Sequence, residues 1–332
     1  MTLRRLTAAA AILFFTACND DFTLEADFRD IPVAYAFLDP TAEENFVRVQ
    51  RAFLEAGGNA EANAADAANL YYAEGAATVR LTNLDTDESF ELQRVDASVL
   101  GLVREPGTFA TDPNVLYRLE DSNDRLDPGQ RVRLDIERDG EPTASATTTL
   151  LAPIDIIRPR ELVRIDDYRR PLIVSVNTSA DAALFDVRLI FNITEFDPPN
   201  QGRTERRLAF TAATAVERPA GADGRFAIEV EPEDIYGFIA SQFAPTTTLI
   251  RRFQSMEVEV TAVGTEALDR LQLQSANAGI TSSQALPRYS NLSNGIGLIT
   301  SRTSGRKTEL LLDDNSLDSL REGSFTGDLN FR

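Results

Sequence analysis

Few residues in this chain are equipped to do chemistry. It has no His and one Cys, Cys18, against 52 Asp and Glu and 33 Lys and Arg. Without imidazole there is no His general base, no Ser-His-Asp or Cys-His nucleophile and no His metal ligand. One thiol can form neither an intrachain disulfide nor a thiolate metal cluster. Carboxylate hydrolysis stays open on residue type alone, because a glycosidase needs only two acids. With 52 acids, chance pairs are unavoidable, and no catalytic pair is assigned. Asp85-Thr86-Asp87-Glu88 and Asp121-Ser122-Asn123-Asp124 gather oxygens that suit calcium. Neither has the twelve-residue loop with its Gly and terminal Glu, so both read as solvated turn acids. The single lysine, Lys307, sits in Ser304-Gly305-Arg306-Lys307-Thr308. That stretch reads as an exposed turn rather than as a base for a serine nucleophile. No phosphate-binding glycine motif of the GxxxxGK(S/T) or GxGxxG type occurs. A formal net charge of −19 opposes attraction to nucleic acid. Arg206-Arg207 and Arg251-Arg252 are expected to pair with Asp and Glu. The chain therefore reads as a non-enzyme, with no catalytic residue, metal site, cofactor or nucleic-acid partner.

The one chemically distinctive position is Cys18. It follows Arg4 and Arg5, then the apolar run Leu6–Phe15, then Thr16-Ala17. The apolar run is about half what a bilayer-spanning helix needs, so it reads as a signal peptide over residues 1–17. Small residues before a Cys, directly after such a run, resemble a bacterial lipobox. In signals of that kind the thiol is acylated and cleavage frees an amino group that is acylated too. Several acyl (palmitate-type) chains, at ~0.8 kcal/mol per buried CH2, make a stable membrane anchor. Asn19, Asp20 and Asp21 follow, and an acidic pair there resembles the surface-export signal of Bacteroidota-type lipoproteins. Residues 18–30 form a polar tether.

The elements that follow are mostly β. Val33, Tyr35 and Phe37 alternate with Ala34 and Ala36, and Val47 and Val49 alternate with Arg48 and Gln50. Arg131–Glu137 (RVRLDIE) sets Val132, Leu134 and Ile136 against charge, the pattern of a half-buried antiparallel strand. Further strands are expected at 77–82, 89–95, 115–119, 143–151, 172–176, 185–194, 206–210, 226–230 and 256–263. Gly- and Pro-containing turns separate several of them. Helices are expected from Glu231, presenting Ile235, Phe238, Ile239 and Phe243, at Thr265–Gln274, and near Ser316–Arg321. The Ala-rich 57–68 stretch reads as a helical excursion or loop. Asn294-Gly295 suits a type I′ turn into a closing strand. At ~150 residues per domain the length allows about two domains. The expected fold is mainly β, with two β-sandwich-like (Ig-like) domains and a few inserted helices. The N-terminal domain is placed at 31–152 and a C-terminal β-rich domain at 153–332, with a junction near Pro153–Pro159.

Four stretches together carry a family resemblance. They are IPVAYAFLDPTAEENFVRVQRAFL, LFDVRLIFNITEFDP, IRRFQSMEVEVTAVGTEALDRL and RYSNLSNGIGLITSR. In order and spacing they resemble an uncharacterised family of Bacteroidota-type outer-membrane lipoproteins, from about Ile31 to Arg332. The family offers no activity and no catalytic residue to carry over. Related lipoproteins often accompany TonB-dependent transporters. The resemblance therefore implies a non-enzymatic binding or accessory module, anchored in the outer membrane through Cys18 and facing the cell exterior. Its implied partner is an outer-membrane transporter or other envelope protein. The alternative is a structural or adhesive envelope component, and the third reading is a carboxylate-based hydrolase.

Overall fold

The computed structural model describes residues 30–52, 60–277 and 288–332. The N-terminal part of the described chain supplies β1 (Pro32–Leu38), β2 (Asn45–Arg51), β3 (Thr78–Asn83), β4 (Ser89–Glu91), β5 (Gln93–Asp96), β6 (Val115–Leu119), β7 (Arg131–Glu137) and β8 (Ala144–Thr149). Then come β9 (Asp155–Arg158), β10 (Leu162–Val163), β11 (Leu172–Asn177), β12 (Ala182–Asp197), β13 (Gly202–Glu217), β14 (Arg225–Val230), β15 (Ile250–Gly264) and β16 (Ile296–Leu312). The helices are α1 (Ala60–Ala64), α2 (Ala67–Leu70), α3 (Ser122–Arg125), α4 (Pro232–Ser241), α5 (Thr265–Asn277) and α6 (Asp314–Glu322). The chain is mainly β.

The strands form three sheets. The largest runs β13-β12-β15-β16-β1-β2-β6-β5, with β10 added beside the end of β16. The others are β14-β11-β9 and β4-β3-β7-β8. Each small sheet shares a core with one half of the large sheet. Val174, Val176, Ile228 and Val230 of the three-stranded sheet join Val187, Leu189, Phe191, Val258 and Val260. Val79, Leu81, Val132, Leu134 and Ile136 join Ala34, Ala36, Val47, Val49 and Tyr117. Strand alternation explains both sets, since every second residue turns inward. In β1 the alanines face the core, and Phe37 on the other face is 48% exposed. Leu150 and Leu151, adjacent and both fully buried, belong to different cores.

β16 crosses between the two cores. Ile296–Ser301 pair in parallel with Val33–Leu38 of β1, and Arg302–Leu310 pair antiparallel with β15. The apolar Gly297–Ile299 and Leu310–Leu312 runs are thus two ends of one strand, with Ile299 in one core and Leu310 and Leu312 in the other. At the crossing Ser301 is fully buried. Its hydroxyl donates to Leu38 O at 2.8 Å and accepts from Leu151 N at 2.9 Å.

Some local expectations change. Ser304–Thr308 is mid-strand in β16 rather than a turn, because its backbone pairs with β15. Asn294 has a φ of 51° but Gly295 is not left-handed, so the type I′ turn is absent. Gly295 is needed for space instead, since Leu292 and Pro32 O crowd the position of any Cβ. The 89–95 run splits into β4 and β5, which enter different sheets. The Ala-rich stretch forms α1 and α2 where it is described. Helix α4 packs its stripe on the second core, with Ile235 and Ile239 buried and Phe238 stacked on Phe210 at 4.9 Å.

Removing the Ser301 hydroxyl leaves a buried amide and a buried carbonyl unsatisfied. Ser301→Ala should cost about 1–3 kcal/mol in urea unfolding. The exposed Ser304→Ala should change stability by less than ~0.5 kcal/mol. Equal effects would remove Ser301 from its place at the crossing.

Candidate functional site

Cys18, Asn19, Asp20 and Asp21 lie outside the described residues. The description begins at Asp30, where the chain is clamped. The Asp30 carboxylate accepts from Tyr72 OH at 2.8 Å and stands 3.5 Å from Arg138 Nη1. Arg138 also donates to Asp30 O and Pro142 O, both at 2.6 Å. Its side chain is 3% exposed. Burial, reinforced by the Asp30 hydrogen bond, drives the Tyr72 phenol well above its usual value. The clamp fixes the point where the preceding segment meets the fold, and it lines a hollow of about 560 Å³.

Tyr71, next in the chain, faces different chemistry. It is 5% exposed and packs with Leu70 and Val115. Arg104 Nη1 donates to its hydroxyl at 3.4 Å and to Ala110 O at 3.3 Å. The Arg104 guanidinium also lies 5.1 Å from the Phe109 ring centre. Arg48 donates to Asn114 Oδ1 at 2.9 Å, and Arg94 donates to Tyr72 O at 3.3 Å. Burial holds the Arg48 guanidinium below its usual value; Tyr71 works against that shift and the charge of Arg104 adds to it. Tyr71, Tyr72 and Arg94 line a further hollow of about 330 Å³. Little in the sequence marks this gathering. Its only local sign is Tyr71-Tyr72 directly after the Ala-rich stretch, with the arginines supplied by β2, β5 and a loop.

Of the acids assessed from sequence, Asp85 and Asp121 have partners. Asp85 accepts from Arg131 N at 2.8 Å, and Asn83 Oδ1 accepts from Asp85 N and Thr86 N in the same turn. Asp121 precedes α3 with a φ of 50° and stands 3.9 Å from Arg125. Among the described residues no group of three or more Asp, Glu or Cys side chains converges as a metal site. Lys307 Nζ lies 3.4 Å from Ile156 O, with no serine hydroxyl among its described partners.

Arg206, Arg207 and Arg251 do meet acids, as their doublets suggest. Glu195 is 8% exposed and accepts from Arg251 Nε at 3.0 Å and Arg206 Nε at 2.8 Å. Arg251 is 3% exposed, reaches Leu329 O at 2.7 Å and stacks over Phe243 at 4.4 Å. Glu257 binds Arg306, Arg207 and Asn192. Burial pushes both carboxyls up, but Arg206 and Arg251 at Glu195, and Asn192 with Arg306 and Arg207 at Glu257, outweigh it, and both end below their ordinary value of 4.5. Held ionised in this way, neither is poised as a general acid. Neither lines the two hollows above, nor a third of about 690 Å³ bordered by Thr246, Asp328 and Asn330.

A family model described as "Domain of unknown function (DUF4249)" matches residues 20–308. No curated protein matches the chain. Two solved structures resemble it weakly. One is titled "Ca2+-stabilized adhesin helps an Antarctic bacterium reach out and bind ice", at 11% identity and TM-score 0.19, covering 86% of this chain and 49% of that one. The other is titled "Crystal structure of chicken CNTN1 FN1-FN3 domains", at 12% identity and TM-score 0.15, covering 71% and 57%. The chain thus spans about half the length of these structures. Among the described residues no helix is long and apolar enough to cross a membrane.

The depressed Glu195 and Glu257 give stability that is present above about pH 4.5 and is lost as pH falls through their folded values. The thermal midpoint should therefore be flat near neutrality and fall below about pH 4.5. Glu195→Gln leaves Arg251 buried without its charge partner and should cost about 3–5 kcal/mol at pH 7. It should also flatten the acid limb. An acid limb as steep as in the native chain would show that Glu195 contributes nothing to it.

Proposed function

We propose that this chain, which belongs to the DUF4249 family, works as a lipid-anchored surface module of the outer membrane that binds a partner without catalysing a reaction. The observation that carries the reading is Cys18. It is the chain's sole cysteine, set directly after a short apolar run and before an acidic pair. A thiol at that place is what an acylating enzyme would use, and several acyl chains would hold so acidic a body at a bilayer. From Cys18 to the Asp30 clamp the backbone reaches at most about 40 Å, so an acylated chain would stand close to the membrane. Asn19, Asp20 and Asp21 would direct it to the outer surface in a Bacteroidota-type cell.

We read the two cores as Ig-like, β-sandwich-like units. Such units commonly present binding surfaces rather than catalytic clefts. The pairing of the most buried carboxylates with arginines supports a non-catalytic role, because a hydrolase needs one acid held protonated. The partner we favour is a TonB-dependent transporter or another envelope protein.

Cells fed an alkyne-bearing palmitate should label the native chain and leave Cys18→Ala unlabelled. The variant should also leave the detergent-rich phase. An unlabelled native chain, or a variant held in the membrane just as firmly, would sink the anchor. Cross-linking in intact cells, followed by solubilisation in mild detergent, should recover a transporter with the native chain. Recovery of none, together with impaired attachment and unchanged nutrient uptake on deletion, would favour a structural or adhesive component instead.

A further inference from the structure

We propose that the loop joining β5 to β6, residues 97–114, seats its exposed apolar side chains in the headgroup–acyl boundary of a lipid bilayer, beside the acyl anchor. The inference rests on the reading that Cys18 is acylated. Val99 and Val103 are each 79% exposed, and Leu100, Leu102 and Phe109 are exposed with them. Scattered exposed apolar residues are ordinary, but five on one loop are a patch that calls for an occupant. The loop backbone is nevertheless fixed. Ala97 N donates to Asn114 O at 2.8 Å and closes the loop at its base. Leu102 N donates to Ala97 O at 3.0 Å, and Asn114 Nδ2 donates to Leu102 O at 2.6 Å. Ala110 N donates to Ala64 O at 2.9 Å, which ties the returning limb to α1. Arg104 reaches Tyr71 OH and Ala110 O, with its guanidinium over the Phe109 ring. A loop ordered in advance loses little further freedom on entering an apolar phase.

Strand register puts this loop where the anchor arrives. Pro32 of β1 pairs with Arg51 of β2, Val47 of β2 with Tyr117 of β6, and Asp96 of β5 with Val115 of β6. All three pairings are antiparallel. The start of β1, the end of β2, the start of β6 and the end of β5 therefore share one end of the large sheet. Arg51 and Pro113 accordingly line the same hollow of about 330 Å³. Neighbouring strands lie about 4.8 Å apart, so β6 begins about 10 Å from the start of β1. The chain leaves the fold towards Cys18 at this same end, and at most about 40 Å of backbone separates Asp30 from the thiol. The end that carries the loop is thus the end an acylated chain would turn to the bilayer. Charge agrees with this. Between Asp96 and Asp112 only Arg104 and Glu105 are charged, in a chain of net −19. So acidic a body would be repelled by anionic lipid, and an apolar contact with neutral headgroups avoids that repulsion. An acyl anchor alone would let the body swivel. A second contact at the loop would fix which face is turned outward.

The chain has no tryptophan, so a single introduced indole reports alone. The test places the acylated chain carrying Val103→Trp in phosphatidylcholine vesicles. Its emission should move to shorter wavelength, and phosphatidylcholine brominated on its acyl chains should quench it at a depth of about 5–10 Å. Val99→Asp, added to the same chain, should reduce the quenching. Leu162→Trp is the control. Leu162 is exposed in β10 and pairs with Leu311, up to about 50 Å along β16 from the loop's end of the sheet. That indole should stay unquenched. Both positions are exposed, so neither change should disturb folding. Alkyne-palmitate labelling of the same sample reads the anchor separately. A labelled chain whose Val103→Trp indole is not quenched, or whose two indoles are quenched alike, overturns the loop contact and leaves the anchor standing. An indole shielded without quenching marks a protein partner on the loop and overturns bilayer entry as well. An unlabelled chain sinks the anchor and the loop contact together.

Discussion

The fold depends on one strand serving two cores. β16 leaves β1 at Ser301 and meets β15 at Arg302, so its partner changes between consecutive residues. A change of partner leaves backbone groups that neither ladder satisfies, and in a dry interior each would be costly. The Ser301 hydroxyl closes that gap by bonding Leu38 O on one side and Leu151 N on the other. Three segments distant in sequence therefore meet at one oxygen. Among the described residues no strand pairing joins the two small sheets. What joins the halves is the continuous backbone ladder of the large sheet, with Gly297 and Gly305 letting Ala34 and Ile154 approach β16 closely.

Strand patterning was legible where the information is local. RVRLDIE announces β7 because each inward residue is apolar and each neighbour charged. The helix at Pro232 is announced by its acids and its i, i+3, i+4 stripe. Pairing was not legible, because periodicity carries no partner. Nothing in Ser89–Val95 states that its two halves enter different sheets. Lys307 and its neighbours look like a turn by composition, yet the ladder with β15 holds them extended. The Arg–Tyr gathering was hidden for the same reason. Its residues come from separate parts of the chain, and Arg48 reads locally as only the polar half of an alternating strand. The proposed anchor is the opposite case, since it rests wholly on the order of residues near Cys18.

The acid excess is not spread evenly through the interactions. Glu195 and Glu257 sit low in exposure, each ringed by arginines, and their electrostatic demand is met inside the sheet. Pairs of this kind specify strand register, because β12 and β15 must align Glu195 with Arg251 and β13 must deliver Arg206 and Arg207. Around Tyr71 the arginines meet neutral acceptors instead, Arg48 on Asn114 and Arg104 on Tyr71 and Ala110 O.

The clamp at Asp30 has a mechanical consequence. Residues Asp30 and Ile31 lead straight into β1, which lies inside the large sheet between β2 and β16. β1 aligns with β16 over six residues and with β2 over five. A pull on the N-terminus along the strand would load both ladders in shear, so many hydrogen bonds would share the force rather than open one after another like a zipper. Survival under such a load is set by the rate of forced unfolding rather than by equilibrium stability, and the leading end of this chain is built into the part of the sheet where that rate should be slowest.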